Sequence, residues 1–167
     1  MRLVRRARRG RDASYRKSQR NTHVRFVISQ DAKKLFAQLR NVRETSARQH
    51  VARRLLMVLS RDARIAPVHV TITDARQYHK RAHGRVALKR YGYYRPQSSY
   101  IYVHNRTAVR GQILAAKTFC DTLLHEWMHH YDTKKLRIDS RHTKGFYARL
   151  GDLKNKLGRP TEKIGRQ

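Results

Sequence analysis

Apolar positions along the chain follow two different periods, and the switch between them divides it. Leu35, Phe36 and Leu39 recur at helical spacing behind Asp31, which reads as an N-cap, so a first helix is expected to run to about Val42. Val51, Leu55, Leu56 and Leu59 trace a second helix that starts after Thr45 and Ser46 and ends near Asp62. Residues 24–30 ahead of them read as a short strand or a lead-in. Pro67 breaks the helical period. Residues 68–73 are rich in β-branched side chains and read as a strand, with two more at 85–91 and 98–104. Between the last two, residues 91–96 hold Tyr91, Tyr93 and Tyr94 with Gly92 and Pro96, and read as a turn. A small antiparallel three-stranded sheet is the expected result. From about 112 to 132 the helical period returns, with Leu114, Phe119, Leu123, Leu124 and Trp127 spread over so much of the surface that a central, buried helix is expected. Phe146, Leu150, Leu153 and Leu157 mark a last amphipathic helix. The pattern is α+β: N-terminal helices, a small sheet, then a central and a C-terminal helix.

Length and composition set bounds on this picture. A chain of 167 residues, 39% of them apolar, fits one domain, placed at residues 23–158 with a polar tail at 159–167. No stretch has the ~18–20 apolar residues needed to span a bilayer, and no apolar run follows the charged N-terminus as in a secretory signal. The expected location is cytoplasmic, with nucleic-acid association. Cys120 is the one cysteine, which excludes an intrachain disulfide and a zinc ribbon of cysteine pairs, and its place in an apolar helix suits a buried, inert thiol.

Charge changes the picture most. Lys and Arg number 40 against 11 Asp and Glu, a net charge of +29. Such a surface attracts polyanions, and nucleic acid is the expected partner. Nine of the first twenty residues are Arg or Lys, so residues 1–22 are expected to form a disordered basic arm able to settle on a phosphate backbone. The tyrosines among these cations are either base-stacking platforms or half-buried strand residues.

The chemistry concentrates in His125-Glu126-Trp127-Met128-His129. Four residues apart on a helix, His125 and His129 leave the same face, with Cβ atoms ~5–6 Å apart, and can reach one Zn²⁺. Glu126 points about a quarter turn away, within reach of a metal-activated water as general base. His, Glu and His on a buried apolar helix are costly without a function. A catalytic zinc needs a third protein ligand, and His142, just before the last helix, is the best placed. His130 points about 100° away from His129, and Asp132, Asp139 and His104 are weaker alternatives. Asp121 and Asp132 are candidates to accept the outer ring N–H of a ligand imidazole. Tyr147 or His104 is a candidate to steady an oxyanion.

Residues 121–129, Asp-Thr-Leu-Leu-His-Glu-Trp-Met-His, resemble the active-site helix of the SprT-like zinc metallopeptidases, the family that includes Spartan. His142 followed by Phe146 is similar to that family's third histidine and the aromatic four residues later. The resemblance implies a minimal zincin-like fold, zinc held by His125, His129 and His142, Glu126 as the base, and hydrolysis of peptide bonds in proteins bound to DNA. Two departures stand out: Thr143 and Lys144 separate His142 from Gly145, where the family often has glycine directly after the histidine, and the family's frequent Cys-rich zinc ribbon has no cysteines here to build it. The competing reading is a basic nucleic-acid-binding protein with a structural or vestigial metal site. Hydrolysis of a non-peptide bond is a third.

Overall fold

The computed structural model describes residues 2–76, 78–82 and 85–158. In chain order these form α1 (Arg2–Arg20), α2 (Gln30–Asn41), α3 (Thr45–Ala63), β1 (His69–Arg76), β2 (Tyr78–Ala82), β3 (Arg85–Arg90), β4 (Gly92–Arg95), β5 (Tyr100–Arg106), α4 (Ala116–Tyr131), a π-helical turn (Asp132–Leu136) and α5 (Lys144–Gly158). The fold is α+β, with helices before and after a small sheet, as the alternating periods predict. Among the described residues no helix is long and apolar enough to cross a membrane. The expected tail at 159–167 lies outside the described residues.

The helices start where local hydrogen bonding lets them. Ser29, not Asp31, caps α2: its hydroxyl accepts from the Ala32 N–H at 3.3 Å, while Asp31 sits in the first turn, where a negative charge suits the helix dipole. α3 closes on Arg64 in the left-handed region. Residues 24–30 are a lead-in and not a strand. Their backbone is tied sideways, the Val24 N–H donating to Asp152 and the Arg25 N–H to the Tyr131 hydroxyl, both at 2.9 Å.

The sheet differs from the expected one. Its order is β1-β5-β4, with β1 and β5 parallel and β5 and β4 antiparallel, so it is mixed. The segment whose composition reads as a turn, with Gly92 and the tyrosines, is the third strand. The expected strand at 85–91 exists as β3 but pairs with β2 in a separate hairpin. That hairpin reverses the chain between β1 and β4, which makes β5 run parallel to β1. In the register, Val70 lies beside Ile101 and Ile72 beside Val103, and all four are buried. They form the inward face, on which α3 and α4 pack to enclose the core of Leu55, Leu59, Phe119, Leu123 and Trp127.

Two arginines are fully buried in this core. Arg48 of α3 donates to the carbonyls of Val42 (3.1 Å) and Leu114 (2.9 Å) and to the Asn105 side chain, and its guanidinium lies 4.3 Å from the Phe119 ring centre. It ties α3 to β5 and to the start of α4. Arg149 of α5 binds Asp132 at the end of α4.

Within the stretch expected to be a disordered arm, the described residues are ordered. The chain is helical from Arg2 to Arg20, and the second half of α1 docks on α5 and on the loop before it. Docking is polar, so apolar content gives no sign of it. The Ser18 and Thr143 hydroxyls share a hydrogen bond at 2.7 Å, the Asp139 N–H donates to Ser14 at 2.8 Å, and the Gly145 N–H donates to the Gln19 side chain at 2.9 Å. Close approach requires glycine at 145. A Cβ there would stand 1.9 Å from the Ser18 carbonyl oxygen and 2.9 Å from the Gln19 Cα. At Gly151, on the same helix, a Cβ would meet nothing within 4 Å. Gly145→Ala is therefore expected to cost about 1–3 kcal/mol or more by forcing α1 away from α5. Gly151→Ala should gain about 0.5–1 kcal/mol from helix propensity. Urea unfolding of both variants reads the opposite signs.

Candidate metal centre

α4 carries His125 and His129 one turn apart, and the loop between the π-helical turn and α5 returns His142 to them. The three Nε2 atoms converge: 2.9 Å from His125 to His142, 3.0 Å from His129 to His142, and 3.2 Å from His125 to His129. Tetrahedral ligands at a bond length of ~2.0–2.1 Å stand about 3.3–3.4 Å apart, so the triad is close to the shape a metal ion would impose. This group can bind a metal ion. Among the described residues no fourth His, Cys, Asp or Glu belongs to it. An imidazole donor set suits zinc, copper, iron or nickel.

Two of the imidazoles, His125 and His129, are kept neutral. Burial, with the neighbouring His142 adding repulsion, pushes His125 down to about 4. Burial and the charges of His125 and His142 push His129 down to about 3. Both rings therefore offer lone pairs at neutral pH. The proton of His129 is also directed. Ser140 donates its hydroxyl hydrogen to Asp132 Oδ2 at 3.1 Å, so its oxygen is free to accept from His129 Nδ1 at 2.8 Å. The proton then sits on Nδ1 and the lone pair on Nε2, facing the other two rings.

Asp132 itself is held from behind. Arg149 meets it with two parallel hydrogen bonds, Nε to Oδ1 at 3.0 Å and Nη2 to Oδ2 at 2.6 Å, with both side chains fully buried. The remaining guanidinium donors go to the Ser18 carbonyl (2.8 Å), the Asn21 carbonyl and the Ser18 hydroxyl (3.2 Å). All five N–H groups have acceptors. Burial pushes the Asp132 carboxyl up from its usual range, and the Arg149 fork opposes this.

The other expected residues divide cleanly. Glu126 is 8% exposed, follows His125 on α4 and lines two adjoining clefts of about 590 and 480 Å³, which share Gly92, His125 and Glu126. Asp121 does not support a ligand in the way expected, because its oxygens pair with Lys117 (2.7 Å) and Lys154 (2.8 Å) at the surface. His130 is buried and structural: its Nε2–H donates to the Ala66 carbonyl at 2.8 Å, and its Nδ1 accepts from Tyr94 at 3.0 Å. Asp139 pairs with Arg141. His104 stands on the outward sheet face, bonded to the Ala75 carbonyl, away from the triad. Tyr147, 53% exposed, is at the site, its ring centre 5.9 Å from that of His142 and 6.4 Å from that of His125. Burial pushes the Cys120 thiol up to about 11, consistent with an inert side chain.

Three contributors lie outside what sequence reasoning finds. Ser140 carries no spacing signal of its own. Arg149 does carry one, lying between Phe146 and Leu153 on the apolar stripe of α5, where a charge needs a partner. Gly92 has the look of turn punctuation, yet it lets β4 touch α4. A Cβ there would lie 2.8 Å from the Tyr102 carbonyl oxygen, 3.1 Å from the Thr122 methyl and 3.4 Å from the Glu126 Cγ.

Compared with known family models, curated proteins and solved structures, the chain matches none. Fold and site together define an α+β protein with a candidate three-histidine metal centre. Ser140→Ala should weaken metal binding about 10- to 100-fold while leaving the fold intact, because it removes the acceptor that orients His129. Chelator competition, with circular dichroism as the folding control, reads this.

Proposed function

We propose that the chain is a zinc-dependent metalloendopeptidase acting on protein substrates at or near nucleic acid, in the manner that its resemblance to SprT-like metallopeptidases implies. The observation that carries the reading is the convergence of the His125, His129 and His142 Nε2 atoms beside Glu126, on a cleft bordered by a sheet edge. Three protein ligands, with no fourth among the described residues, is the pattern of a catalytic zinc, whereas structural zinc sites are closed by four. When bound, zinc lowers the pKa of its water toward ~7 and polarises a carbonyl.

The chain's own residues supply the rest. Glu126 receives the proton of the attacking water on a carboxylate oxygen and passes it to the leaving amine. Ser140 and Asp132 hold the His129 ring in its productive tautomer as charge changes at the site. Tyr147, whose ring lies beside His142 and His125, is the residue we assign to donate a hydrogen bond to the developing oxyanion. Among the described strands β4 is at the sheet edge beside this cleft, so an extended peptide can align alongside it. That favours a peptide bond over other hydrolysable groups. The net charge of +29 supports a nucleic-acid setting.

The rival reading, a basic nucleic-acid-binding protein whose metal is structural, is separated by one substitution. Glu126→Gln is expected to keep stoichiometric zinc and to lower cleavage of a DNA-binding protein about 10²-fold or more, assayed with and without DNA. A wild-type protein that holds no stoichiometric metal overturns the metal centre. One that holds zinc yet cuts nothing under any nucleic-acid condition overturns the peptidase.

A further inference from the structure

The outward face of the sheet is as ordered as the inward one, and its composition is different. Along β5, Ile101, Val103 and Asn105 are buried, whereas Tyr100, Tyr102, His104 and Arg106 alternate with them and are half-exposed. The register places Tyr93 of β4 beside Tyr102, and Arg95 beside Tyr100. On the far side, His69 lies beside Tyr100 and Thr71 beside Tyr102. Aromatic side chains thus run across all three strands on the face turned away from α3 and α4.

These rings are arranged as a line of planar groups. The Arg95 guanidinium lies 5.1 Å from the Tyr93 ring centre. Tyr93 and Tyr102 are parallel within 10°, with centres 5.3 Å apart. His104 meets Tyr102 edge-on at 5.6 Å. His69 and Tyr100 form a second stacked pair at 6.4 Å and 27°. Tyrosines serving only to fill a core would point inward, as Tyr94 does toward His130. The outward ones spend their planar area at the surface of a protein with a charge of +29.

We propose that this sheet face is a binding platform for single-stranded nucleic acid, in which unpaired bases extend the Arg95–Tyr93–Tyr102 stack while surface cations meet the phosphates. A duplex keeps its base faces internal, so a half-exposed aromatic stack that ends at the surface suits unpaired bases. Charge complementarity supplies attraction, and the rings select strandedness and not sequence. The proposal deepens the nucleic-acid half of the reading above and does not depend on peptide cleavage. It also gives β4 two faces with two tasks. Gly92 and Tyr94 turn toward α4, whereas Tyr93, which also borders the cleft at the histidines, stacks outward with Tyr102 and Arg95.

The test is fluorescence anisotropy on the full chain with zinc present, using a labelled 20-nucleotide mixed-sequence DNA strand, its RNA counterpart, an abasic strand of equal length and charge, and a duplex. Wild type is expected to bind the DNA or RNA strand at least about 10-fold more tightly than the abasic strand, the stronger of the two naming the source. Tyr93→Leu with Tyr102→Leu should erase that difference and leave duplex binding unchanged. Tyr93→Phe with Tyr102→Phe should keep it, since the rings remain. If the leucine pair fails to fold, Tyr93→Leu alone, on the edge strand, is read in the same way. Equal wild-type affinity for base-bearing and abasic strands overturns the platform, as does a folded leucine variant with the full preference. Cleavage is not read, so failure of the peptidase and failure of the platform are separate results.

Discussion

The buried contact between Asp132 and Arg149 is the constraint on which the metal centre depends. A carboxylate and a guanidinium that are both fully buried gain from their attraction only if every remaining donor and acceptor is satisfied. Here that condition recruits three parts of the chain. Asp132 ends α4, Arg149 lies on α5, and the Ser18 and Asn21 groups that take the other guanidinium hydrogens close α1. Removing one partner of such a pair costs about 3–5 kcal/mol, because the other charge is left alone in a dry interior. The loop carrying Ser140 and His142 is spanned by these three elements, so its position follows from theirs. Asp132 Oδ2 then reaches forward to Ser140 and so to His129. One carboxylate serves both the architecture and a ligand's tautomer.

The same residues bear on how a strongly basic chain could hold a cationic metal at the three histidines. Like charges repel over a Debye length of ~8–10 Å at ordinary ionic strength, and an excess of 29 positive charges would disfavour Zn²⁺ as well as protons at the triad. The local carboxylates offset this. Asp121 pairs with both Lys117 and Lys154 at the rim of the cleft, Asp139 pairs with Arg141, Asp132 answers Arg149, and Glu126 lines the cleft itself. These four, of the chain's 11 acidic residues, gather on one helix and the segment that follows it.

Much of this is legible in the sequence, for physical reasons that can be named. Helices α2, α3, α4 and α5 announce themselves because each buries a stripe, and stripes repeat at 3.6 residues. The three histidines are legible because two share a helix face at four-residue spacing and the third stands where a returning loop ends, just before the last helix. What stays hidden depends on contacts far apart in the chain. Ser140 matters only because a π-helical turn brings it under His129. β4 looks like a turn, since Gly92 and Pro96 flank a short tyrosine run, and only the packing of Thr122 and Glu126 against Gly92 reveals why glycine is there. The parallel pairing of β1 with β5 follows only once the β2–β3 hairpin is known to reverse the chain between them. In α1, polarity imitates disorder, whereas the helix docks through hydroxyl, amide and guanidinium groups.

The edge strand β4 ties these threads together. Strand alternation sends consecutive residues to opposite faces, so four residues are enough to serve two environments. Gly92 and Tyr94 face the helix that holds the histidines, and Tyr93 and Arg95 face outward among the aromatic row. An edge strand also leaves one row of backbone groups unpaired, a liability for aggregation that natural sheets blunt with charge or cover. Arg95 and the high overall charge discourage pairing with a second copy of the same chain, because two such edges would bring like charges together. An extended segment of a neutral or acidic protein meets no such barrier. On the proposed reading, the charge that would draw the chain to a polyanion also biases which strand this edge would accept.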